Sequence, residues 1–190
     1  MSTSLVAVDL ATRYSAAGWL SADGAVLGEW DSWQVTESEF IRATCLPWTS
    51  AMFDAPDVLL VEDLPHRLPF SGQVKGTCRL QGRIVQAMAS AGAAEAVVFV
   101  PPAVWRKAFV GLERGTGPEA VTAVAQRCGY LPPDLTGRLR GDKGEKAVAR
   151  KVATDYCAAF LIAAWAVTAH RTHGTYDIAG TSRYTTGDKP

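Results

Sequence analysis

Leu5-Val-Ala-Val-Asp9 is a short apolar run that ends in an acidic residue, and Asp57-Val-Leu-Leu-Val-Glu62 is a second run of the same kind. Short, uninterrupted apolar runs rich in Val and Leu predict strands buried on both faces of a sheet. If the two strands are neighbours, Asp9 and Glu62 lie one strand spacing apart, about 5 Å. The two runs therefore predict adjacent central strands with carboxylates at one end.

The remaining segments extend these strands into a mixed α/β domain. Alternating or apolar runs predict further strands at residues 14–20, 26–35 and 97–100, with a hairpin turn at 22–24. Apolar residues at helical spacing predict helices within residues 37–53, 72–92, 102–109, 118–128 and 145–170. We therefore expect a five-stranded mixed sheet, with a three-stranded antiparallel meander plus parallel strands, and helices on both faces.

Length and composition indicate one globular domain. Of the 190 residues, 48% are hydrophobic and 20% charged, which excludes a disordered or collagen-like chain. No apolar run reaches the roughly 18 residues of a membrane span, and the N-terminus does not resemble a signal peptide. Four scattered cysteines do not suggest a zinc site. We expect a cytoplasmic domain over residues 1–170 without membrane contact, and a polar, flexible tail over residues 171–190.

Charge is unevenly distributed although the formal net charge is zero. Residues 1–65 contain two basic and ten acidic residues, a balance of −8. Residues 66–151 contain fourteen basic and six acidic residues, a balance of +8. Such an asymmetry is compatible with a polyanionic partner, and equally with solvated helix faces.

A third acid, Asp155, precedes the apolar part of the last predicted helix. A helix packed across the sheet could bring Asp155 to Asp9 and Glu62. Carboxylates so close together are costly unless a cation neutralises them, and hard oxygen ligands suit Mg²⁺ or Mn²⁺. Two such ions about 4 Å apart can hold the attacking water and the leaving oxygen in phosphodiester cleavage. Acids at strand ends are also common as solvated caps, so the spacing leaves both interpretations open.

Five segments follow one another in an informative order. They are Val8-Asp9-Leu-Ala-Thr-Arg-Tyr-Ser-Ala-Ala-Gly18-Trp19, Asp57-Val-Leu-Leu-Val-Glu62, Leu80-Gln81-Gly82-Arg83-Ile-Val, Val100-Pro-Pro-Ala-Val-Trp105-Arg106-Lys107-Ala-Phe-Val-Gly111 and Asp155-Tyr-Cys-Ala158-Ala159-Phe-Leu-Ile-Ala-Ala-Trp165. Together they resemble the Holliday-junction resolvases of the RuvC type, a family of RNase H-like nucleases, in a divergent, bacteriophage-like branch. The resemblance covers approximately residues 5–168.

The resemblance implies a crossover junction endodeoxyribonuclease that acts in DNA recombination and repair, in a bacterial cell or a phage-infected host. Asp9, Glu62 and Asp155 carry over as ligands of two Mg²⁺ ions, with Mn²⁺ as a substitute. The substrate would be branched double-stranded DNA, a four-way junction. A homodimer is implied too, because its two-fold symmetry matches that of the junction.

A fourth ligand position of the family is occupied by Ala158. The family's last motif usually has a second acid or a histidine three residues from the first, and alanine cannot bind a metal. A different register would make Asp155 the final ligand and place Val152 at the other position. Three explanations remain open: an engineered inactivation, which we rank first, a naturally weakened binder, or substitution by Asp63 or Asp142.

Basic residues border the segments that contain these acids. They are Lys75, Arg79 and Arg83 after Glu62, Arg106 and Lys107 after the next strand, and Lys143, Lys146 and Arg150 at the start of the last helix. Such stripes neutralise phosphates, although each could be a solvated helix face. The resemblance implies that the loop of residues 64–70 approaches the branch point. Phe70 could act there as a wedge against unstacked bases, or belong to the core.

Three other functions are compatible with parts of the sequence. A non-catalytic protein that binds branched DNA would keep the basic surface but lack a ligand. A nuclease that processes ribosomal RNA could use the same fold. A kinase of the actin and sugar-kinase superfamily would explain Asp9-Leu-Ala-Thr12 as a phosphate loop, but such kinases need two domains and 190 residues hold one.

Overall fold

The computed structural model describes residues 4–9, 14–21, 23–33, 58–64, 72–90, 96–112, 116–130, 143–175 and 180–185. The strands are β1 Ser4–Asp9, β2 Tyr14–Ser21, β3 Val26–Trp33, β4 Val58–Glu62, β5 Ala96–Val100 and β6 Ser182–Thr185. The helices are α1 Gly72–Ser90, α2 Pro102–Arg106, α3 Pro118–Arg127 and α4 Lys143–His173. The helix predicted within residues 37–53 lies outside the described residues.

The strands form one mixed sheet in the order β3-β2-β1-β4-β5-β6. β1, β2 and β3 pair antiparallel as the predicted meander, while β1, β4 and β5 are parallel. This confirms the predicted α/β class with a mixed sheet. The structure differs in the number of strands, since the sequence predicted five and the described residues form six.

The sixth strand lies in the segment for which we predicted a flexible tail. β6 pairs antiparallel with β5, from Phe99 beside Ser182 to Ala96 beside Thr185, and α4 continues to His173. The prediction was therefore wrong for these residues. Backbone hydrogen bonds to the edge of β5 create β6, and a short polar edge strand needs no apolar periodicity that a sequence could reveal.

The central strands β4 and β5 are buried on both faces. The first four residues of β4 are at most 5% exposed. Val58 and Leu60 pack in the main core with residues of α2, α3 and α4, whereas Leu59 and Val61 belong to the opposite face because side chains alternate along a strand. Cover on both sides of these strands explains why their sequence is continuously apolar.

Helix α4 approaches the sheet closely at Gly18 of β2. A Cβ atom at Gly18 would lie 3.0 Å from Cγ and 3.1 Å from Cα of Phe160. The Phe160 ring is itself packed against the rings of Tyr130 and Tyr156, with centroids 5.1 and 4.9 Å away. Gly18 also pairs with Ala7 of β1, so the helix lies on two of the smallest residues in the sheet.

We expect Gly18→Ala to lower the free energy of unfolding by about 1–3 kcal/mol, because the new methyl group overpacks the contact with Phe160. Part of that contact is backbone, so a change of side-chain rotamer cannot relieve it. Urea unfolding followed by circular dichroism measures the effect.

Gly82→Ala is the matched control for this prediction. Gly82 lies exposed in α1, and a Cβ atom there would meet nothing within 4 Å. Alanine should therefore raise the free energy of unfolding by about 1 kcal/mol, the difference between the two residues in a helix interior. Equal effects of the two substitutions would contradict the proposed close contact at Gly18.

Two further features concern the described residues. No helix among them is both long and apolar enough to cross a membrane. Cys78, Cys128 and Cys157 are free thiols. Burial raises the pKa of the Cys157 thiol to about 11, against a weaker opposing effect of a hydrogen bond with Thr122.

Candidate active site

The carboxyl ends of β1 and β4 lie side by side. The parallel register pairs Ala7 with Leu60 and Val8 with Val61, so the next positions, Asp9 and Glu62, are neighbours at the ends of the two strands. Ala7 and Leu60 both belong to the core beneath α4. Since positions two residues apart share a face of the sheet, Asp9 and Glu62 occupy the α4 face. The Asp9 side chain lies outside the described part of the structure.

Helix α4 runs antiparallel to β1 and β4. Its C-terminal part lies near the β2–β3 turn, where Val167 is 3.9 Å from the Cβ position of Gly24. In the same turn the pKa of Asp23 is lowered, mainly by a hydrogen bond from the Ser21 hydroxyl and in smaller part by the charge of Arg171. Because this turn is at the amino end of β1, the N-terminal part of α4 extends toward the carboxyl ends of β1 and β4.

The position of Asp155 along α4 follows from this direction. Asp155 precedes Phe160 by five residues, about 7.5 Å along a helix, and Phe160 packs on Gly18. Asp9 lies two residues beyond Ala7, the partner of Gly18, which is about 6.6 Å along a strand. These two distances, measured from the contact between Phe160 and Gly18 toward the carboxyl end of β1, are similar. The backbone therefore places Asp155 near Asp9 along the direction of the strand. The Asp155 side chain is buried, with 7% exposure.

Glu62 is held by residues of two helices. Nε1 of Trp105 in α2 donates a hydrogen bond of 2.9 Å to Oε1 of the Glu62 carboxylate. Nε2 of Gln81 in α1 donates one of 2.9 Å to the Glu62 backbone carbonyl. The next residue, Asp63, extends the pairing with β5 through its backbone N–H, 3.0 Å from the Val100 carbonyl. Glu62 is therefore fixed in both backbone and side chain.

The chemistry of these groups fits a hard divalent ion. A half-buried carboxylate at a strand end and a buried carboxylate on the helix above it supply oxygen ligands, which Mg²⁺ and Mn²⁺ prefer. Within the described residues no group of three His, Cys, Asp or Glu side chains is close enough to hold a metal ion. The side chain of Asp9 lies outside these residues, so a site of three carboxylates stays a prediction.

Ala158 lies three residues after Asp155, and both are buried in α4. Residues three apart on a helix share a face, and Asp155 has this spacing with both Ala158 and Val152, so the position of the missing ligand stays a prediction. Asp63 lies on the same face of the sheet as Val61, because positions two residues apart share a face, and not on the face of Glu62. Its carboxylate accepts a hydrogen bond of 2.8 Å from the Leu64 backbone N–H. This geometry argues against Asp63 as the substitute ligand. Asp142 and the side chain of Val152 lie outside the described residues.

The predicted DNA-binding residues of α1 share its exposed face. Lys75, Arg79 and Arg83 are exposed, whereas Thr77 and Gln81 on the same helix are buried. Two basic residues follow at the end of α2. Lys107 is exposed, and Arg106 is half-buried with its guanidinium carbon 5.3 Å from the centroid of the Trp105 ring. Nε of Arg106 is buried and has no hydrogen-bond partner among the described residues.

Other predicted residues are only partly described. Lys143, Lys146 and Arg150 lie in the first turns of α4, the part of the helix that extends toward the carboxyl ends of the central strands. Their side chains lie outside the described part of the structure. The same is true of Phe70 and the loop around it, so its predicted contact with the branch point stays a prediction.

The roles of Trp105 and Gln81 were not predicted from the sequence. Trp105 is 0% exposed, as expected for a core residue, but its indole N–H reaches Glu62. A buried tryptophan N–H normally finds an acceptor, and a carboxylate near the end of a neighbouring strand is a suitable one. Gln81 is a buried polar residue on a helix whose exposed face is basic, a signal that its amide bonds inside the protein.

The order of strands and the helix across them define an RNase H-like fold of the RuvC type. The chain is similar to Thermus thermophilus RuvC, whose solved structure matches with a TM-score of 0.55 and 14% identity over 91% of this chain and 98% of that one. A structure of T. thermophilus RuvC in complex with a Holliday junction substrate matches with a TM-score of 0.57 and 12% identity, over 90% and 96%. No family model and no curated protein matches the sequence.

Proposed function

We propose that this chain is a metal-dependent, structure-selective endonuclease that resolves Holliday junctions and other branched DNA by hydrolysing phosphodiesters. The observation that carries the proposal is the placement of Asp9 and Glu62 on one face at adjacent strand ends, with the buried Asp155 of α4 near their level. The RuvC-type fold supports the same activity, since one matching structure holds a Holliday junction substrate.

In this proposal Asp9, Glu62 and Asp155 bind two Mg²⁺ ions, which Mn²⁺ could replace. Such ions activate an attacking water and offset charge on the leaving oxygen. The carboxylates orient the ions, and Trp105 and Gln81 keep Glu62 in place. Burial of Asp155 limits access of bulk water, which strengthens electrostatic interactions in the site.

The basic residues would hold the DNA rather than cut it. The exposed stripe of α1, defined as Lys75, Arg79 and Arg83, lies on the helix whose Gln81 contacts Glu62. We propose that a phosphate backbone binds along this stripe. Lys107, Arg106 and the basic residues at the start of α4 would extend the surface. Contacts of this kind position the duplex and carry little sequence information.

We propose that two copies act together on a four-way junction. A two-fold homodimer presents two active sites, related by the same symmetry as the two strands that must be cut. Sedimentation velocity with and without a junction should detect the dimer. A monomer that binds the junction with one-to-one stoichiometry would contradict this part of the proposal.

A labelled four-way junction tests the central proposal. With Mg²⁺ or Mn²⁺ we expect paired nicks near the branch point, no cleavage in EDTA, and little cleavage of a linear duplex of the same sequence. Binding without cleavage under all conditions would instead support a non-catalytic junction-binding protein, a possibility that Ala158 at a ligand position favours. Preferential cleavage of a structured RNA would support an RNA-processing nuclease.

Neutralising the exposed stripe of α1 should weaken binding mainly at low salt. We expect each single change, Lys75→Gln, Arg79→Gln or Arg83→Gln, to reduce the slope of log K against log salt by about 0.9, the value for one lost phosphate contact. Fluorescence anisotropy with a labelled junction at several salt concentrations measures this slope.

Arg171→Gln is the control for this prediction. Arg171 is an exposed basic residue at the other end of α4, near the β2–β3 turn. Its removal should leave the slope unchanged. If Arg171→Gln reduced the slope as much as the α1 variants do, the stripe would not be the specific binding surface.

A further inference from the structure

The side chain of Glu62 takes its orientation from a residue of the hydrophobic core. Trp105 is 0% exposed and packs in the main core cluster. Its ring lies edge-on to Phe109, with centroids 6.5 Å apart. The indole therefore cannot swing freely, and the direction of its N–H bond toward Oε1 of Glu62 is set by packing.

An indole N–H is well suited to orient a carboxylate. It donates one hydrogen bond, accepts none and carries no charge, so it fixes the plane of the carboxylate without competing as a cation for the same oxygens. A hydrogen bond to an ionised carboxylate is also stronger than a neutral one. Groups behind a metal ligand that fix its orientation commonly determine how tightly the metal binds.

Two further contacts make this orientation rigid. The Gln81 amide holds the backbone carbonyl of Glu62, which keeps the strand end from moving away from Trp105. The guanidinium carbon of Arg106 lies 5.3 Å from the centroid of the indole ring. A cation over the ring attracts its electrons and thereby makes the indole N–H a better donor to Glu62.

We propose that Trp105 is a positioning residue that holds Glu62 in the orientation needed to bind a divalent ion. This inference rests on the proposed function, because it assumes that Glu62 is a metal ligand. It predicts that metal affinity depends on an N–H group of the core that does not itself contact the ion.

Isothermal titration with MnCl₂ in the absence of DNA tests the inference. Trp105→Phe keeps an aromatic ring but removes the N–H, and it should weaken Mn²⁺ binding about 10- to 100-fold, the usual effect of losing a group that orients a ligand. Trp165→Phe is the matched control, since Trp165 is also buried, at 6% exposure, on α4. Its Mn²⁺ affinity should equal that of the wild type. Cleavage by Trp105→Phe should recover at high Mg²⁺ concentration.

A measurement without any change at Trp105 covers the case in which Trp105→Phe does not fold. The chain has six tryptophans, and ¹⁵N labelling of the indoles gives one N–H signal for each. Mn²⁺ should broaden one of these signals strongly in the wild type. The same signal should move upfield in Glu62→Ala, because its hydrogen bond to the carboxylate is lost.

The outcomes separate the inference from the proposed function. If the wild type binds no Mn²⁺, the metal-dependent nuclease is overturned and the role of Trp105 with it. If the wild type binds Mn²⁺ and Trp105→Phe binds it equally well, only the positioning role is overturned. An indole spectrum that Glu62→Ala leaves unchanged overturns the positioning role as well.

Discussion

Replacing Glu62 with glutamine should lower the rate of Mg²⁺-dependent junction cleavage about 1000-fold while leaving junction binding nearly unchanged. The amide keeps the size of the side chain and can still accept the Trp105 hydrogen bond, but it removes the negative charge that binds the metal. Metal ions contribute several kcal/mol to such reactions, and about 1.4 kcal/mol corresponds to a factor of ten in rate. Single-turnover cleavage and gel mobility shift measure the two quantities.

Glu119→Gln is the control for the change at Glu62. Glu119 is an exposed acid in the first turn of α3, and its neutralisation should change neither cleavage nor binding. Equivalent substitutions at Asp9 and Asp155 should behave like Glu62→Gln. If Glu62→Gln cleaved junctions at the wild-type rate, Glu62 would not be a metal ligand.

Replacing Ala158 with aspartate should raise Mg²⁺-dependent cleavage about 100-fold, if Ala158 occupies the position of a lost ligand. The new carboxylate lies one helical turn from Asp155, and a fourth ligand worth about 2.7 kcal/mol in the transition state corresponds to that factor. In EDTA the same variant should be less stable than the wild type, because an unpaired buried carboxylate is costly. Mg²⁺ should restore the stability by binding to the folded state.

Ala166→Asp tests whether this behaviour is specific to the site. Ala166 is equally buried in α4, with 0% exposure, but it lies two turns further toward the β2–β3 turn. Aspartate should destabilise the protein there too, and Mg²⁺ should not restore the stability. If Ala158→Asp gained no activity while remaining folded with Mg²⁺, the missing-ligand hypothesis would fail.

The order of the central elements could be predicted because their burial leaves a direct trace in the sequence. A strand covered on both faces is continuously apolar, as residues 58–61 are, and a hairpin needs turn residues such as Asp23 and Gly24. β6 leaves no such trace, since four residues at an edge are held by backbone bonds to β5. The need for glycine at position 18 was equally hidden, because it depends on contact with Phe160, far away in the chain.

In the candidate site, too, some residues could be placed from the sequence and others could not. Asp9 and Glu62 could be predicted as neighbours because both end apolar runs, and parallel neighbouring strands end at the same edge. The position of Asp155 relative to these two acids depends on the direction of α4. That direction follows from contacts of α4 near Gly18 and Gly24, which the sequence does not show. The link between Trp105 and Glu62 joins residues 43 positions apart, and no local pattern encodes which acceptor a buried indole will find.

The distance in sequence between the central strands and the helix that covers them has a consequence for synthesis on the ribosome. β1 and β4 emerge early, whereas α4, which packs over their apolar face, spans residues 143–173. Until then that face is exposed, which makes the growing chain prone to aggregation and a natural client for chaperones. In the proposed enzyme α4 also carries Asp155, so a growing chain that has not yet reached α4 lacks one of the three proposed metal ligands.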